Sequence, residues 1–414
     1  MDAVSARRVI ERALAERELA DVLTHRPVHV IAVGKAAAAM SSAFVVQPQV
    51  ASGRALAIGT HRTESMPEGI EWIQASHPFP DERSEAAGRG ALALAESVPE
   101  ADVLVILLSG GASALMAAPV AGLSLVDKIA ATREMMNAGA DIHALNTVRR
   151  HLSRVKGGRL AAACPGRTIT LAISDVVGDD LNAIGSGPGV PDQSTWQDAA
   201  AALDRFGGSR HATHVRALVA RGVAGELPDT PKQGHPALRR ARAHVIGSRL
   251  DAMEGARAAA AARGYHPIVV PAPVVGEARD VSPVWLAQVR ALASAAGRRV
   301  CVISSGETTV RVTGSGTGGR NLEFALAIAE ALAAAGGAVA VASIGTDGID
   351  GTSGVAGAIV DSTTMTRARA AGLEAPSHFL AANDSSEFFA PLDDMVRLGR
   401  TETNVGDLQV ILSE

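Results

Sequence analysis

DVLVILLSGGASALMAAP, residues 102–119, decides the fold. An unbroken aliphatic run, bounded by turn residues and too short for a helix of its own, reads as a strand buried on both faces. Such strands sit in parallel sheets covered by helices on each side. Working outward, 28–33 (VHVIAV), 168–173 (TITLAI), 243–246 (AHVI), 299–304 (RVCVIS) and 338–344 (AVAVASI) are further short, β-branched runs. Stretches with helical periodicity lie between them at 36–47, 84–97, 124–137, 196–206, 248–263, 283–297 and 321–336. This alternation predicts an α/β protein. Residues 207–242 carry Gly-Gly-Ser, PDTPKQGHPAL and mixed charge without a sustained period. The domain boundary is therefore expected near 235–242, giving domains 1–240 and 241–414, the second opening on the strand at 243.

Composition excludes several classes of function. The 414 residues bury enough surface for two or three domains, and 39 basic against 43 acidic residues leave a net charge of −4 with no basic face for nucleic acid. The first twenty residues, MDAVSARRVIERALAERELA, read as an amphipathic helix rather than a leader, and no apolar run approaches a bilayer span. Cys164 and Cys301 lie far apart in no metal-ligand spacing and read as core residues of a reducing compartment. A soluble cytoplasmic protein without a membrane partner is expected, with a homodimer as a candidate assembly.

The chemistry concentrates where strands end. Four lysines, Lys35, Lys128, Lys156 and Lys232, stand against thirty-five arginines. Lys128, in an amphipathic helix, and Lys232, in the irregular region, read as surface charges. Lys35 follows the strand 28–33 and opens a helix, at the carboxyl end of a parallel strand where ligands of open sheets collect. VGKAA lacks the upstream glycine and the metal-binding hydroxyl of a P-loop. Ser109, Gly110, Gly111, Ala112 and Ser113 are small enough for backbone N–H groups to converge on a phosphate, with a plain tight turn as the alternative. In ISDVVGDDLNAIGSGPG, 173–189, Asp175, Asp179 and Asp180 precede the turn Ser186-Gly187-Pro188-Gly189, an arrangement suited to a magnesium-bound polyphosphate or to helix capping.

In the C-terminal half, Gly314, Gly316 and Gly319 form a literal GxGxxG before a helix. The preceding TTVRVT alternates polar and apolar residues, and no acidic residue follows about 20 positions later, so a dinucleotide cradle is disfavoured. The glycines instead suit a loop that carries Arg320 to a helix N-terminus, where a guanidinium can clamp a carboxylate or a phosphoryl group. Glu307, Asp347 and Asp350 are carboxylates on glycine turns, candidates for a cation or a substrate hydroxyl. His77 and His151 have no Ser or Asp at a telling position, so a hydrolase triad is unsupported.

Taken in order, VGKAA 33–37, SHPFPD 76–81, LSGGASAL 108–115, LNTVRRHLSRVKGGRLA 145–161, ISDVVGDDLNAIGSGPGVPD 173–192, SGETTVRVTGSGTGGRNLE 305–323, GTDGIDG 345–351, NDS 383–385 and TNVGDL 403–408 resemble glycerate 2-kinases of the MOFRL type, a family often labelled hydroxypyruvate reductase. The resemblance spans nearly the whole chain. It implies an N-terminal Rossmann-like three-layer αβα domain, a smaller α/β MOFRL-type C-terminal domain, and an active-site cleft between them. It also implies transfer of the γ-phosphoryl group of ATP to the 2-hydroxyl of D-glycerate, with ATP and Mg²⁺ as cofactors. Under it Lys35 and Arg320 are the catalytic cations. Ser109–Ser113 with Ser186, Gly187 and Pro188 would hold nucleotide phosphates, and Asp175, Glu307 and Asp347 are the candidate metal ligands. The chain departs from the family pattern at Ser305, Gly354, Ser386 and Gly399-Arg400. An NAD(P)H-dependent hydroxypyruvate reductase is the rival enzyme, carried by the glycines at 314–319.

Overall fold

Residues 1–64, 66–207, 213–297 and 299–414 are described in a computed structural model. The chain divides into two compact units: Ala6–Ser174 with Gly178–Ile246, and Gly247–Glu414 with Met1–Ser5 and Asp175–Val177.

The N-terminal unit is built on six strands: β1 Pro27–Val33, β2 Ala51–Gly59, β3 Ile70–Gln74, β4 Val103–Leu108, β5 Arg167–Ile173 and β6 Ala241–Gly247. Their order in the sheet is β3-β2-β1-β4-β5-β6, and β3/β2, β2/β1, β1/β4 and β4/β5 pair in parallel. This is the Rossmann order, reversing direction between β1 and β4. All six residues of β4 and all but Pro27 of β1 are buried, as their unbroken aliphatic sequence requires. Helices enter cleanly because side chains cap them. Asp81 with Ser84 opens the helix Glu82–Glu96, Ser124 with Asp127 opens Leu125–Asn137, and Thr195 with Asp198 opens Trp196–Phe206, each a reciprocal capping box. A helical subdomain packs Met135, Leu145, Val148, Trp196, Leu203 and Leu218 into its own apolar cluster.

The C-terminal unit holds a mixed sheet of seven strands: β7 His266–Val269, β8 Val274–Glu277, β9 Val300–Thr309, β10 Val339–Gly345, β11 Gly357–Asp361, β12 Met395–Val396 and β13 Asp407–Ser413. They run β12-β11-β10-β13-β9-β7, with β8 also on β9. The β7 and β8 pairings with β9 are parallel and the others antiparallel. Trp285, Phe324, Phe388 and Phe389 anchor its core between the sheet and the helices Ala278–Ala296 and Arg320–Ala335.

Several expectations need correction. The strand at 243, expected to open the second domain, is β6 and forms the edge of the first sheet. The aperiodic stretch 207–242 contains a helix, Thr213–Val223, whose Val215, Leu218 and Val219 are buried; Gly208 and Ser209 of its Gly-Gly-Ser lie outside the described residues. TTVRVT is not one alternating strand, because β9 ends at Thr309 and a loop spans 310–319. Lys128 is not a surface charge: its side chain is buried in the helix Leu125–Asn137. Lys232 is half-buried, bonded to Ser194, Asp229 and Thr230. His151 does have an acidic neighbour, Asp229, at 2.9 Å, but the His151 ring itself is buried, bonded to the Thr147 carbonyl and packed on the Trp196 ring. Cys164 and Cys301 are free thiols in the core. Among the described residues no helix is long and apolar enough to cross a membrane.

Candidate functional site

In an open α/β sheet the carboxyl ends of strands on either side of the order reversal leave a crevice, because their crossovers depart to opposite faces. The N-terminal unit puts Gly34 and Lys35, after β1, and Ser109–Ser113, after β4, at that point. The two loops are clasped. Ser109 N donates to Val33 O at 3.0 Å, Lys35 N to Gly110 O at 2.8 Å, and Ala36 N to the Ser109 hydroxyl at 3.1 Å. Gly34 has φ +131°, and a Cβ there would lie 2.1 Å from the Ser109 hydroxyl and 2.6 Å from its carbonyl, so only glycine lets the loops close. Gly111, at φ +83°, lies under the His77 ring and the Lys35 stem. The His77 ring reaches the surface, yet desolvation first and the Lys35 ammonium second lower its pKa. Sequence reading set His77 aside for want of a triad partner, and the structure places it beside Lys35.

Lys156 ties the remaining loops of this unit together. Its buried ammonium donates to Ser113 O at 2.9 Å, to the Ser113 hydroxyl at 3.1 Å and to Gly185 O at 3.5 Å. The Ser113 and Ser186 hydroxyls meet at 3.0 Å, and Ser186 donates to Asn146 Oδ1 at 3.0 Å. Gly157 N and Gly158 N donate to the carbonyls of Ser186 and Gly187, and Ala161 N to that of Pro188. Ser109–Ser113 and Ser186–Pro188, predicted separately, are thus brought together through a lysine that sequence reading did not single out. The available signal was its place in RVKGG, in a chain that otherwise prefers arginine.

The C-terminal unit surrounds its own cation with carboxylates. Arg320 opens the helix Arg320–Ala335; its Nε meets Asp407 Oδ2 at 2.8 Å and its Nη1 meets Glu307 Oε1 at 2.9 Å. Burial alone would lower the guanidinium's pKa, but Asp407 and Glu307 outweigh it and raise it, so the charge is permanent. Burial pushes the Asp407 carboxyl up to about 6 against the downward pull of Arg320. Asn321 donates to Asp407 at 2.9 Å, and Asp350 accepts from the Asn321 and Leu322 amides, holding the first turn of the helix.

The other predicted carboxylates of this unit have local roles as well: Asp175 accepts from Asn404 Nδ2 at 2.9 Å, and Asp347 from Ile349 N at 3.2 Å. Among the described residues no group of three or more His, Cys, Asp or Glu is assembled for a metal. The glycine fingerprint is filled by the chain itself. A Cβ at Gly314 would meet Ala382 O at 2.1 Å, one at Gly316 the Asp384 side chain at 2.3 Å, and one at Gly319 the Asp350 carboxyl at 2.3 Å. Asn383 Oδ1 accepts from Thr313 N and Gly314 N, and Asp384 Oδ1 from Thr317 N, which gives the NDS motif the task of holding this loop.

Residues 1–220 match a family described as a domain of unknown function (DUF4147), and residues 300–407 match the MOFRL family. An Agrobacterium vitis protein named "Putative hydroxypyruvate reductase" is 39% identical over 99% of this chain and 95% of its own length. The Thermotoga maritima D-glycerate 2-kinase is 34% identical over 99% of this chain and 94% of its own length. A crystal structure of glycerate kinase from Thermotoga maritima superposes with a TM-score of 0.87 at 33% identity, covering 100% of this chain and 96% of that one.

Proposed function

The chain belongs to the glycerate 2-kinase family, and on that premise we propose that it transfers the γ-phosphoryl group of ATP to the 2-hydroxyl of D-glycerate, giving ADP and 2-phospho-D-glycerate. The observation that carries the reading is the clasp of Gly34–Lys35 on Ser109–Ser113 at the order reversal of a Rossmann-type sheet, in a chain similar over its full length to glycerate kinases. Phosphoryl transfer asks little covalent chemistry of a protein and much positioning and charge neutralisation. Lys35 supplies an ammonium beside the small-residue turn 109–113, whose backbone would hold nucleotide phosphates, with Ser186, Gly187 and Pro188 bound to the same group of loops. Arg320 supplies a guanidinium whose charge is fixed by Asp407 and Glu307, so it offers its field to the phosphoryl oxygens at any working pH.

The oxygen donors of the C-terminal unit suit Mg²⁺. This ion prefers one or two carboxylates plus substrate phosphates and water to an all-protein cage, so the absence of a three-carboxylate cluster among the described residues is compatible with it. Asp175, Glu307 and Asp347 are the residues that would hold the ion, which when bound would neutralise the charge of the β- and γ-phosphates. A nicotinamide-dependent reductase would need an open glycine cradle, and the packing of Gly314, Gly316 and Gly319 against Ala382, Asp384 and Asp350 supports the kinase over it.

Two assays run in parallel test the reading: ATP, Mg²⁺ and D-glycerate in one, NADH and hydroxypyruvate in the other. Formation of ADP and 2-phosphoglycerate is expected in the first and no cofactor oxidation in the second. The reverse pattern would overturn the proposal.

A further inference from the structure

Behind the turn at Ser113, wholly within the N-terminal unit, lies a cavity of ≈ 40 Å³, room for a few water-sized groups. Lys128, Arg149 and Lys156 line it, with Ser113, Thr132 and Phe79. No carboxylate is among the described residues that line it. Lys128 is only 5% exposed, and its buried ammonium has no hydrogen-bond partner among the described residues. Lys156 is fully buried and spends its bonds on the neutral groups of Ser113 and Gly185. Arg133, from the same helix as Lys128, stacks on the Phe79 ring at 4.3 Å and adds a further positive charge close to the wall. Burying like charges side by side without a counterion is costly, and the cost is relieved either by loss of a proton or by a ligand that supplies the missing negative charge.

We propose that this pocket is an oxyanion-binding site that takes the carboxylate or phosphoryl group of a small acid. The cavity is far smaller than a nucleotide, so only a terminal oxyanion and an atom or two behind it can enter. Lys128 contributes an ammonium that has no hydrogen-bond partner among the described residues, Arg149 contributes its guanidinium, and Lys156 contributes the Ser113 hydroxyl it orients. Arg149 presents a planar fork that matches two oxyanion oxygens, while Lys128 acts as a point charge. The inference stands on this pocket and not on the kinase reading: a protein without kinase activity would still carry the site.

Calorimetric titration of the full chain with inorganic phosphate, with D-glycerate and with ADP, each alone, tests it. Saturable binding of at least one of the three is expected. The Lys128→Met variant, whose apolar replacement leaves no buried charge to destabilise the fold, should weaken that binding at least tenfold while unfolding at no lower temperature than the wild type, and Arg149→Gln severalfold with native thermal unfolding. Competition then separates the sources. If D-glycerate displaces phosphate the site reads the substrate's carboxylate, if ADP does so it reads a nucleotide phosphate, and if neither does it is a site for free phosphate. Absence of saturable binding by all three probes, or affinities unchanged in both variants, would overturn the proposal whether or not the kinase assay succeeds.

Discussion

Arg320 in the C-terminal unit and Lys128 in the N-terminal unit are both cations drawn out of water, and they keep opposite company. Arg320, its side chain 30% exposed, sits against Asp407 and Glu307, and the net effect of its surroundings is to raise its pKa. Lys128 faces Arg149 and Arg159, and burial first, then those guanidinium groups, bring its ammonium down to about 7 from 10.5. Lys156 is lowered well below the usual lysine range by burial, Lys128 and Arg149. Burial is common to both regions, so the difference lies in counterions. A cation supplied with carboxylates is fixed in place and always charged, whereas one denied them is poised to accept an anion or to lose its proton.

The largest effect should come from the charges assigned to the reaction. Lys35→Ala and Arg320→Ala are each expected to lower kcat by about 10²–10³-fold, the cost of one preorganised charge at a developing oxyanion. Steady-state rates with ATP and D-glycerate would check this, and near-wild-type turnover in either folded variant would remove that residue from the mechanism. The two substitutions should then part company in stability. Arg320→Ala strands the buried Asp407 carboxylate and is expected to cost about 3–5 kcal/mol by denaturant unfolding, whereas Arg320→Lys, keeping the charge, should recover most of it. Loss of activity without loss of stability in Arg320→Ala would show that the carboxylates do not hold the guanidinium as described.

Lys128→Met should act in the other direction, raising stability by about 1–4 kcal/mol at pH 6, because the buried charge it removes has no partner. The pH dependence follows from the lowered pKa. Between about 7 and 10.5 the unfolded chain holds the Lys128 proton while the folded chain has released it, so wild-type stability rises with pH across that window. The advantage of the Met variant is therefore largest below pH 7 and shrinks towards pH 10, and equal advantage at pH 6 and pH 9 would contradict the titration. The smallest change expected is in Ser109→Ala. Loss of its hydroxyl's bond from Ala36 N should cost about 1 kcal/mol and loosen the Lys35 loop, visible as a raised KM for ATP.

Sequence alone established the α/β class and the strands β1, β4 and β5, because a strand buried on both faces must be aliphatic throughout and the sequence records that directly. It also brought Lys35 and Ser109–Ser113 to strand ends, the one place where local pattern and ligand position coincide. It placed the strand at 243 in the second unit, since AHVI looks the same in either, whereas β6 belongs to the first sheet, and it missed β13 at the C-terminus although TNVGDL runs into it. The helix Thr213–Val223 escaped although THVRALVARGV is rich in apolar residues, because the glycine- and proline-bearing stretches on either side of it hide its period. Lys128 and Lys156 show the limit most clearly. A lysine on an amphipathic helix belongs on the surface by local rules, and only residues distant in the chain, Phe79, Ser113, Arg149 and Gly185, wall these two off from water. Local sequence specifies backbone conformation and the apolar face of each element. The company a charge keeps is a long-range property, and the tertiary structure alone decided it.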